Sequence, residues 1–128
     1  MLNSELNLSP LSDALGVEIV DMSIENAIEQ HIFERVYAAF LKHHLILFNN
    51  VDLSLALQVE FARKFGDVQV HVIIQYHGYG HPEIYLLTNL GEDGKPNGKH
   101  PDRGTMYWHT DGSWEKKTEH ATMMYSGF

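Results

Sequence analysis

Residues 107–114 read Tyr-Trp-His-Thr-Asp-Gly-Ser-Trp, and they contain the most informative spacing in the chain. His109 and Asp111 lie two residues apart. In an extended strand such residues project from the same face, so an imidazole and a carboxylate would lie side by side, with Thr110 on the opposite face. Imidazole nitrogen and carboxylate oxygen suit divalent first-row metal ions. If the segment is extended, the spacing therefore predicts that His109 and Asp111 bind one metal ion together.

Two other interpretations of this pair have to be weighed. A His-x-Asp spacing also occurs by chance, on surfaces or between residues that are only hydrogen-bonded. A hydrolase could use His109 and Asp111 as an acid–base pair, but it would need an activated nucleophile. The nearby hydroxyls of Thr110 and Ser113 lie in no Gly-x-Ser-x-Gly turn. P-loop, dinucleotide-binding and His-Glu-x-x-His signatures are also absent from the sequence.

The first half of the chain is patterned for helices and short strands. Apolar residues recur at steps of three and four over residues 25–43, which predicts one helix with a buried stripe. Ser54 can cap a second helix that ends at Gly66. Strands are predicted at 17–20 and at 45–48, the second one buried on both faces because it is continuously apolar.

Downstream of the second helix the sequence changes to strands and loops. Valines alternate with polar residues over 68–72, which predicts a half-exposed strand. Further strands are predicted at 84–88 and 121–125, with loops at 76–82 and 89–104, where glycine is frequent. Helices first and strands later predict an α+β arrangement rather than alternating β-α-β units.

Composition limits the class of protein. A length of 128 residues suggests one domain or a piece of one. The net charge of −8 argues against nucleic acid as a partner, since phosphates call for a basic surface. The sequence lacks an apolar run of about 18 residues that could span a bilayer. It has no cysteine, which excludes disulfides and thiolate metal ligands, and it starts without a secretion signal; both features favour a cytoplasmic protein.

Four blocks of the sequence resemble the taurine dioxygenase and 2,4-D dioxygenase family of Fe(II)- and 2-oxoglutarate-dependent enzymes. Trp-His-Thr-Asp at 108–111, which follows a loop rich in glycine and proline, is similar to the family's iron-binding signature. Gly-Val-Glu-Ile at 16–19 is similar to its opening strand. His-His-Leu-Ile-Leu-Phe at 43–48 matches its H-x-x-(V/L)-x-F strand, and Phe-Ala-Arg-Lys-Phe-Gly at 61–66 corresponds to its (F/L)-A-x-x-F-G helix end. The order and spacing of these blocks are more specific than any one of them, and they cover nearly the whole chain.

The resemblance implies a fold, a metal and a co-substrate site. The fold is α+β, a double-stranded β-helix (jelly-roll, cupin-like) with flanking helices. The implied iron ligands are His109, Asp111 and a second histidine much nearer the C-terminus. The family also binds 2-oxoglutarate through a threonine in a Gly-Gly-Asp-Thr segment and a late arginine, and this sequence has neither in a matching position. We therefore expect residues 1–128 to be the N-terminal portion of a single dioxygenase catalytic domain. The second iron-binding histidine and the threonine and arginine that bind 2-oxoglutarate are expected beyond Phe128.

The activity that the resemblance implies is hydroxylation of a small organic substrate, coupled to conversion of 2-oxoglutarate into succinate and CO2. The implied cofactor is Fe(II), and the implied partners are the substrate, 2-oxoglutarate and O2, with no nucleic acid and no membrane. Relatives commonly self-associate, which leaves a homo-oligomer open. The alternative is a truncated or degenerate β-helix that binds metal or a partner without oxidative turnover. Succinate release that depends on 2-oxoglutarate would separate the two.

His71 and Thr105 are the candidate substrate-binding residues. His71 falls where taurine dioxygenase has a substrate-contacting histidine, and a solvent-facing strand histidine is the alternative. The tyrosine after that histidine corresponds to Ile74 here, and an asparagine shortly before the metal motif corresponds to Thr105. These two differences argue against taurine or a close sulfonate analogue as the substrate. For Thr105, a structural turn residue is the alternative to a place in the pocket.

Overall fold

The computed structural model describes residues 5–91, 93–96 and 106–126. The chain divides into two compact units, Met1–Asp67 and Val68–Phe128. No helix among the described residues is both long and apolar enough to cross a membrane.

The described part of the first unit combines a small sheet with helices. Its strands are β1 (Leu8–Pro10), β2 (Val17–Ile19) and β3 (Ile46–Leu47), and its helices are α1 (Ile24–Ile28), α2 (Gln30–His43) and α3 (Leu55–Phe65). The central strand β2 pairs antiparallel with β1 and parallel with β3. A parallel pair requires a long crossover connection, which α1 and α2 supply. The first unit thus contains a β-α-β arrangement, and the prediction that excluded such units is wrong here.

The helix predicted over 25–43 is interrupted at Glu29. Ser23 caps α1 by accepting a hydrogen bond from the backbone of Asn26, and Glu29 then adopts an extended ψ of 131°. The carbonyl of Glu29 accepts hydrogen bonds from the backbone amides of Ile32 and Phe33, at 2.9 and 2.8 Å, and so starts α2. The apolar spacing continues across this break, and the break contains neither proline nor glycine. Periodicity alone could not reveal it.

The second predicted helix is confirmed at both ends. The Ser54 hydroxyl accepts a hydrogen bond of 3.2 Å from the backbone amide of Leu57, which satisfies one of the free donors of the first turn. The helix ends at Gly66, whose φ of 148° lies in the region that favours glycine. Both ends are therefore determined by local chemistry that is legible in the sequence.

An aromatic cluster joins α2, α3 and the segment after β3. Phe33 packs edge-on against Phe61 and Phe65 of α3, with ring centroids 6.3 and 5.0 Å apart. Phe61 also contacts Phe48, and the centroids of these two rings are 5.7 Å apart. Edge-to-face ring pairs contribute about 0.5–1.5 kcal/mol each beyond burial alone. In the described part of the chain, ten of the eleven buried apolar residues belong to the first unit: Val17, Ile19, Ile24, Ala27, Ile32, Phe33, Val36, Ala39, Val59 and Phe61.

The described part of the second unit has less regular structure. A 3₁₀ turn at Ile74–Tyr76 leads into a two-stranded antiparallel hairpin, β4 (His77–Gly78) and β5 (His81–Tyr85). Ile84 is its one buried apolar residue among those described. The hairpin occupies most of the segment predicted as a loop, because a short turn at residues 79–80 lets the chain pair with itself.

Two predicted strands are absent from the described residues, and a third is shorter than predicted. Residues 68–72 and 121–125 are irregular, and β3 is shorter than the predicted 45–48. Leu45 and Leu47 are 49% and 38% exposed, so burial on both faces is wrong for this segment. The mixture of helix and sheet is confirmed. The sheets among residues 5–91, 93–96 and 106–126 have three and two short strands, and they do not amount to a double-stranded β-helix.

Candidate metal centre

The candidate metal ligands do not lie on a strand: Asp111 begins a turn, and His109 precedes that turn in a stretch without regular structure. Residues 111–114 form a turn in which the backbone amide of Glu115 donates a 2.9 Å hydrogen bond to the carbonyl of Gly112. Gly112 has a φ of 62°, and a Cβ at this position would come within 3.1 Å of the Glu119 side chain. A larger residue at position 112 would therefore be strained and crowded directly beside Asp111. The strand on which the expected juxtaposition depended is not present here.

His109 and Asp111 nevertheless lie side by side. The Nε2 atom of His109 is 3.2 Å from Oδ1 of Asp111, and each side chain is a little under half exposed, at 44% and 46%. The predicted juxtaposition is therefore present, although the two residues do not lie on a strand. The role of the pair as metal ligands stays a prediction.

A backbone hydrogen bond orients the imidazole of His109. Its Nδ1 lies 2.7 Å from the carbonyl oxygen of Tyr107. A carbonyl only accepts, so Nδ1 carries a proton and donates it. In the neutral ring Nε2 is then the unprotonated nitrogen, and an unprotonated imidazole nitrogen is what binds a metal ion. In the charged ring, Nε2 would instead donate to Asp111.

The carboxylate of Asp111 is held by a residue that the sequence patterns did not single out. The hydroxyl of Thr122 donates a 2.9 Å hydrogen bond to Oδ2, the oxygen that does not face His109. The sequence separation is eleven residues, and Thr122 lies in a stretch predicted to be a strand. Nothing in the spacing of these two residues signals the contact, because it depends on how the irregular segment after the turn folds back.

The two side chains fit a divalent metal ion in chemistry and in spacing. In an octahedral centre with bonds of about 2.1 Å, neighbouring ligand atoms lie about 3 Å apart. The 3.2 Å between His109 Nε2 and Asp111 Oδ1 is close to that separation. A borderline nitrogen and a hard oxygen also suit first-row divalent ions. Within the described part of the chain, His, Cys, Asp and Glu form no group of three or more that could hold a metal.

The candidate substrate residue His71 is fixed by its own surroundings in the second unit. Its Nδ1 accepts a 3.1 Å hydrogen bond from the backbone amide of Ile73. The centroid of its ring lies 4.4 Å from the ring centroid of Tyr85. Nε2 of His77 donates to the backbone carbonyl of His71 at 2.6 Å. The side chain of His71 does not stand on a strand, since residues 68–72 are irregular. The other candidate, Thr105, lies outside the described residues.

An open recess borders the candidate metal centre. Met106, Tyr107, Trp108 and His109 line it. Trp108 is fully exposed, and Tyr107 and Trp114, the latter on the other side of the motif, are largely exposed. Large aromatic side chains of this kind are usually covered in a folded enzyme, by protein or by a bound molecule.

The amino-acid sequence matches a known family along nearly its whole length. The sequence model of the taurine catabolism dioxygenase TauD, TfdA family matches residues 7–126. A curated relative, (S)-phenoxypropionate/alpha-ketoglutarate-dioxygenase from Delftia acidovorans, is 24% identical over 122 residues, which is 88% of this chain and 39% of the relative. This chain therefore spans well under half the length of that relative.

A solved structure gives a similar result for the fold. It is the crystal structure of a protein from Burkholderia xenovorans that is assigned as an alpha-ketoglutarate-dependent taurine dioxygenase. The match has a TM-score of 0.58 and 28% identity, and it covers 69% of this chain and 32% of that one. The chain belongs to the TauD, TfdA family of dioxygenases.

Proposed function

We propose that this chain is the N-terminal portion of an Fe(II)- and 2-oxoglutarate-dependent dioxygenase, and that His109 and Asp111 are two of the three iron ligands. The reaction hydroxylates a small organic substrate with O2 and converts 2-oxoglutarate into succinate and CO2. The name of the curated relative includes alpha-ketoglutarate, and the solved structure is described as alpha-ketoglutarate-dependent; alpha-ketoglutarate is 2-oxoglutarate. The proposal extends that dependence to the intact protein that carries this chain.

One observation carries the proposal: the imidazole and the carboxylate of the family motif converge, with 3.2 Å between His109 Nε2 and Asp111 Oδ1. Two histidines and one carboxylate would hold Fe(II), and iron held in this way would supply the oxidative chemistry with the co-substrate and O2. A second histidine is required to complete the set, and we place it in the part of the protein that lies outside this chain.

The double-stranded β-helix is part of the same proposal. The relatives are much longer than this chain, and the strands of the described residues are short. In the intact protein, further strands would pair with those of the chain and cover the exposed ring of Trp114. The distal carboxylate of 2-oxoglutarate would then be bound by an arginine from the part of the protein outside this chain, because the planar guanidinium group can donate two parallel hydrogen bonds to a carboxylate.

The residues of this chain have separate tasks in the proposed reaction. Bound iron supplies the activation of O2 that no amino-acid side chain can provide. His109 and Asp111 hold the metal and are not general bases. Tyr107 fixes the imidazole through its carbonyl, at 2.7 Å from Nδ1. The recess beside His109, with its exposed aromatic rings, offers an apolar surface on which the organic part of a substrate can be positioned.

Succinate formation that requires both 2-oxoglutarate and Fe(II) is the expected result for the intact protein. Succinate should be measured with (S)-phenoxypropionate and with taurine as trial substrates, and with 2-oxoglutarate omitted as a control. A chelator should abolish succinate formation, and added Fe(II) should restore it, because His109 and Asp111 bind iron reversibly. Metal binding without any succinate under these conditions would instead support a degenerate, non-oxidative β-helix.

We further propose that His71 donates a hydrogen bond to an acceptor group of the substrate. Its Nδ1 already accepts a hydrogen bond from Ile73, so the proton of the neutral ring lies on Nε2. The hydrogen bond from Ile73 and the ring contact with Tyr85 hold the imidazole in one orientation. Such a donor needs little reordering when a carboxylate or another acceptor arrives, which favours binding.

Replacing His71 by alanine is expected to raise the KM for the organic substrate by about 10-fold or more, which corresponds to one lost hydrogen bond to a charged group. The KM for 2-oxoglutarate should stay the same, because His71 is assigned to the other substrate. His71→Gln, which keeps a donor, should recover part of the loss. An unchanged substrate KM in His71→Ala would place this residue outside the substrate site.

A further inference from the structure

We propose that Thr122 is a positioning residue that orients the carboxylate of Asp111 toward the metal. The inference rests on the proposed metal role of His109 and Asp111. Thr122 donates its 2.9 Å hydrogen bond to Oδ2, whereas Oδ1 is the oxygen that lies 3.2 Å from His109 Nε2. The terminal torsion of an aspartate is soft, so an unrestrained carboxylate can rotate. The hydrogen bond makes the two oxygens inequivalent and keeps Oδ1 beside the imidazole.

A threonine hydroxyl is chemically suited to this task. It is a neutral donor, so it can bind Oδ2 without bringing a positive charge that would compete with a metal cation for the carboxylate. The β-branched side chain of threonine has few χ1 rotamers, which limits the directions in which the hydroxyl can point. Thr122 thus restricts the carboxylate and leaves its negative charge available.

The arrangement around the two ligands is reciprocal. The atom of His109 that faces away from Asp111 is Nδ1, and it donates to the carbonyl of Tyr107. The atom of Asp111 that faces away from His109 is Oδ2, and it accepts from Thr122. Each outer atom is therefore held by this chain, and the two inner atoms are presented together. Outer partners of this kind typically change metal affinity by about 10- to 100-fold when they are removed.

The test is the affinity of the intact protein for Mn(II), an ion that carboxylate ligands also suit. Thr122→Val removes the hydroxyl and keeps the shape, and we expect it to weaken Mn(II) binding by about 10-fold. Thr122→Ser keeps the hydroxyl, and we expect its affinity to stay within about twofold of the unchanged protein. Thr118→Val is the matched control, because Thr118 is an exposed threonine four residues earlier. It should bind Mn(II) normally.

Thermal unfolding of the metal-free variants separates positioning from folding. We expect the Tm of all three to match that of the unchanged protein, since Thr122 is exposed. Normal Mn(II) affinity in Thr122→Val would overturn the inference, and so would equal weakening in Thr122→Ser or in Thr118→Val. His109→Ala distinguishes this failure from a failure of the proposed function. If His109→Ala loses Mn(II) binding while Thr122→Val does not, only the role of Thr122 is wrong.

Discussion

Replacing His109 by alanine is expected to abolish succinate formation in the intact protein and to weaken Fe(II) binding by more than about 100-fold. That loss exceeds the 10- to 100-fold that removal of an outer partner typically causes, because a direct ligand disappears. Asp111 would remain with its hydrogen bond from Thr122 but without the imidazole nitrogen 3.2 Å away. The measurements are an anaerobic Fe(II) titration and an assay of succinate.

The companion variant and the control make this result specific. Asp111→Ala should behave like His109→Ala, since each removes one ligand atom of the same pair. His31→Ala removes an exposed histidine of α2 whose Nδ1 lies 3.8 Å from a carboxylate oxygen of Glu29, and it should leave iron binding and turnover unchanged. If both ligand variants kept normal turnover, neither residue could belong to the iron site.

The sequence predicted α3 well because its signals are local. A serine hydroxyl that caps the first turn and a glycine at the end are both visible as residue types, and the structure shows both in those roles. The break at Glu29 is not visible in the sequence, because no particular residue type marks it. The backbone carbonyl of Glu29 accepts the first hydrogen bonds of α2, and every residue type has such a carbonyl.

The strands were predicted less well, because a strand forms only when it pairs with another strand, and the sequence pattern does not identify that second strand. Residues 68–72 have the alternation of a half-exposed strand, yet no strand forms there, and Val72 is 86% exposed. The backbone amide of Ile73 instead bonds to the side chain of His71. Such hydrogen bonds between a side chain and the nearby backbone compete with the pairing of strands. The alternation of side chains alone does not show which of these two arrangements forms.

The candidate site was predicted in part, and for a reason that the structure corrects. The juxtaposition of His109 and Asp111 was expected from the period of a strand, but it occurs where no strand forms. The spacing was still informative, because the side chains of residues two positions apart can lie close together both in a strand and in an irregular segment. Thr122 could not be predicted, because its contact with Asp111 requires the three-dimensional path of an irregular segment.

The aromatic cluster of the first unit leads to the prediction with the largest effect on stability. Phe61 is 4% exposed, and its ring contacts those of Phe33, Phe48 and Phe65. These partners come from α2, from α3 and from the segment after β3. Truncation to alanine removes the buried ring and leaves a cavity that its neighbours fill only partly, since both helices are held by other contacts. Such changes typically cost about 3–5 kcal/mol.

Phe61→Ala is therefore expected to lower the free energy of unfolding of the intact protein by about 3–5 kcal/mol, as measured by urea denaturation. Leu41→Ala is the matched control, because Leu41 lies on α2 but is 52% exposed. Its cost should be about 1 kcal/mol or less, since exposed positions contribute little. Equal losses in the two variants would contradict a core centred on Phe61. Such a result would mean that the exposed face of α2 is covered in the intact protein as firmly as the cluster is.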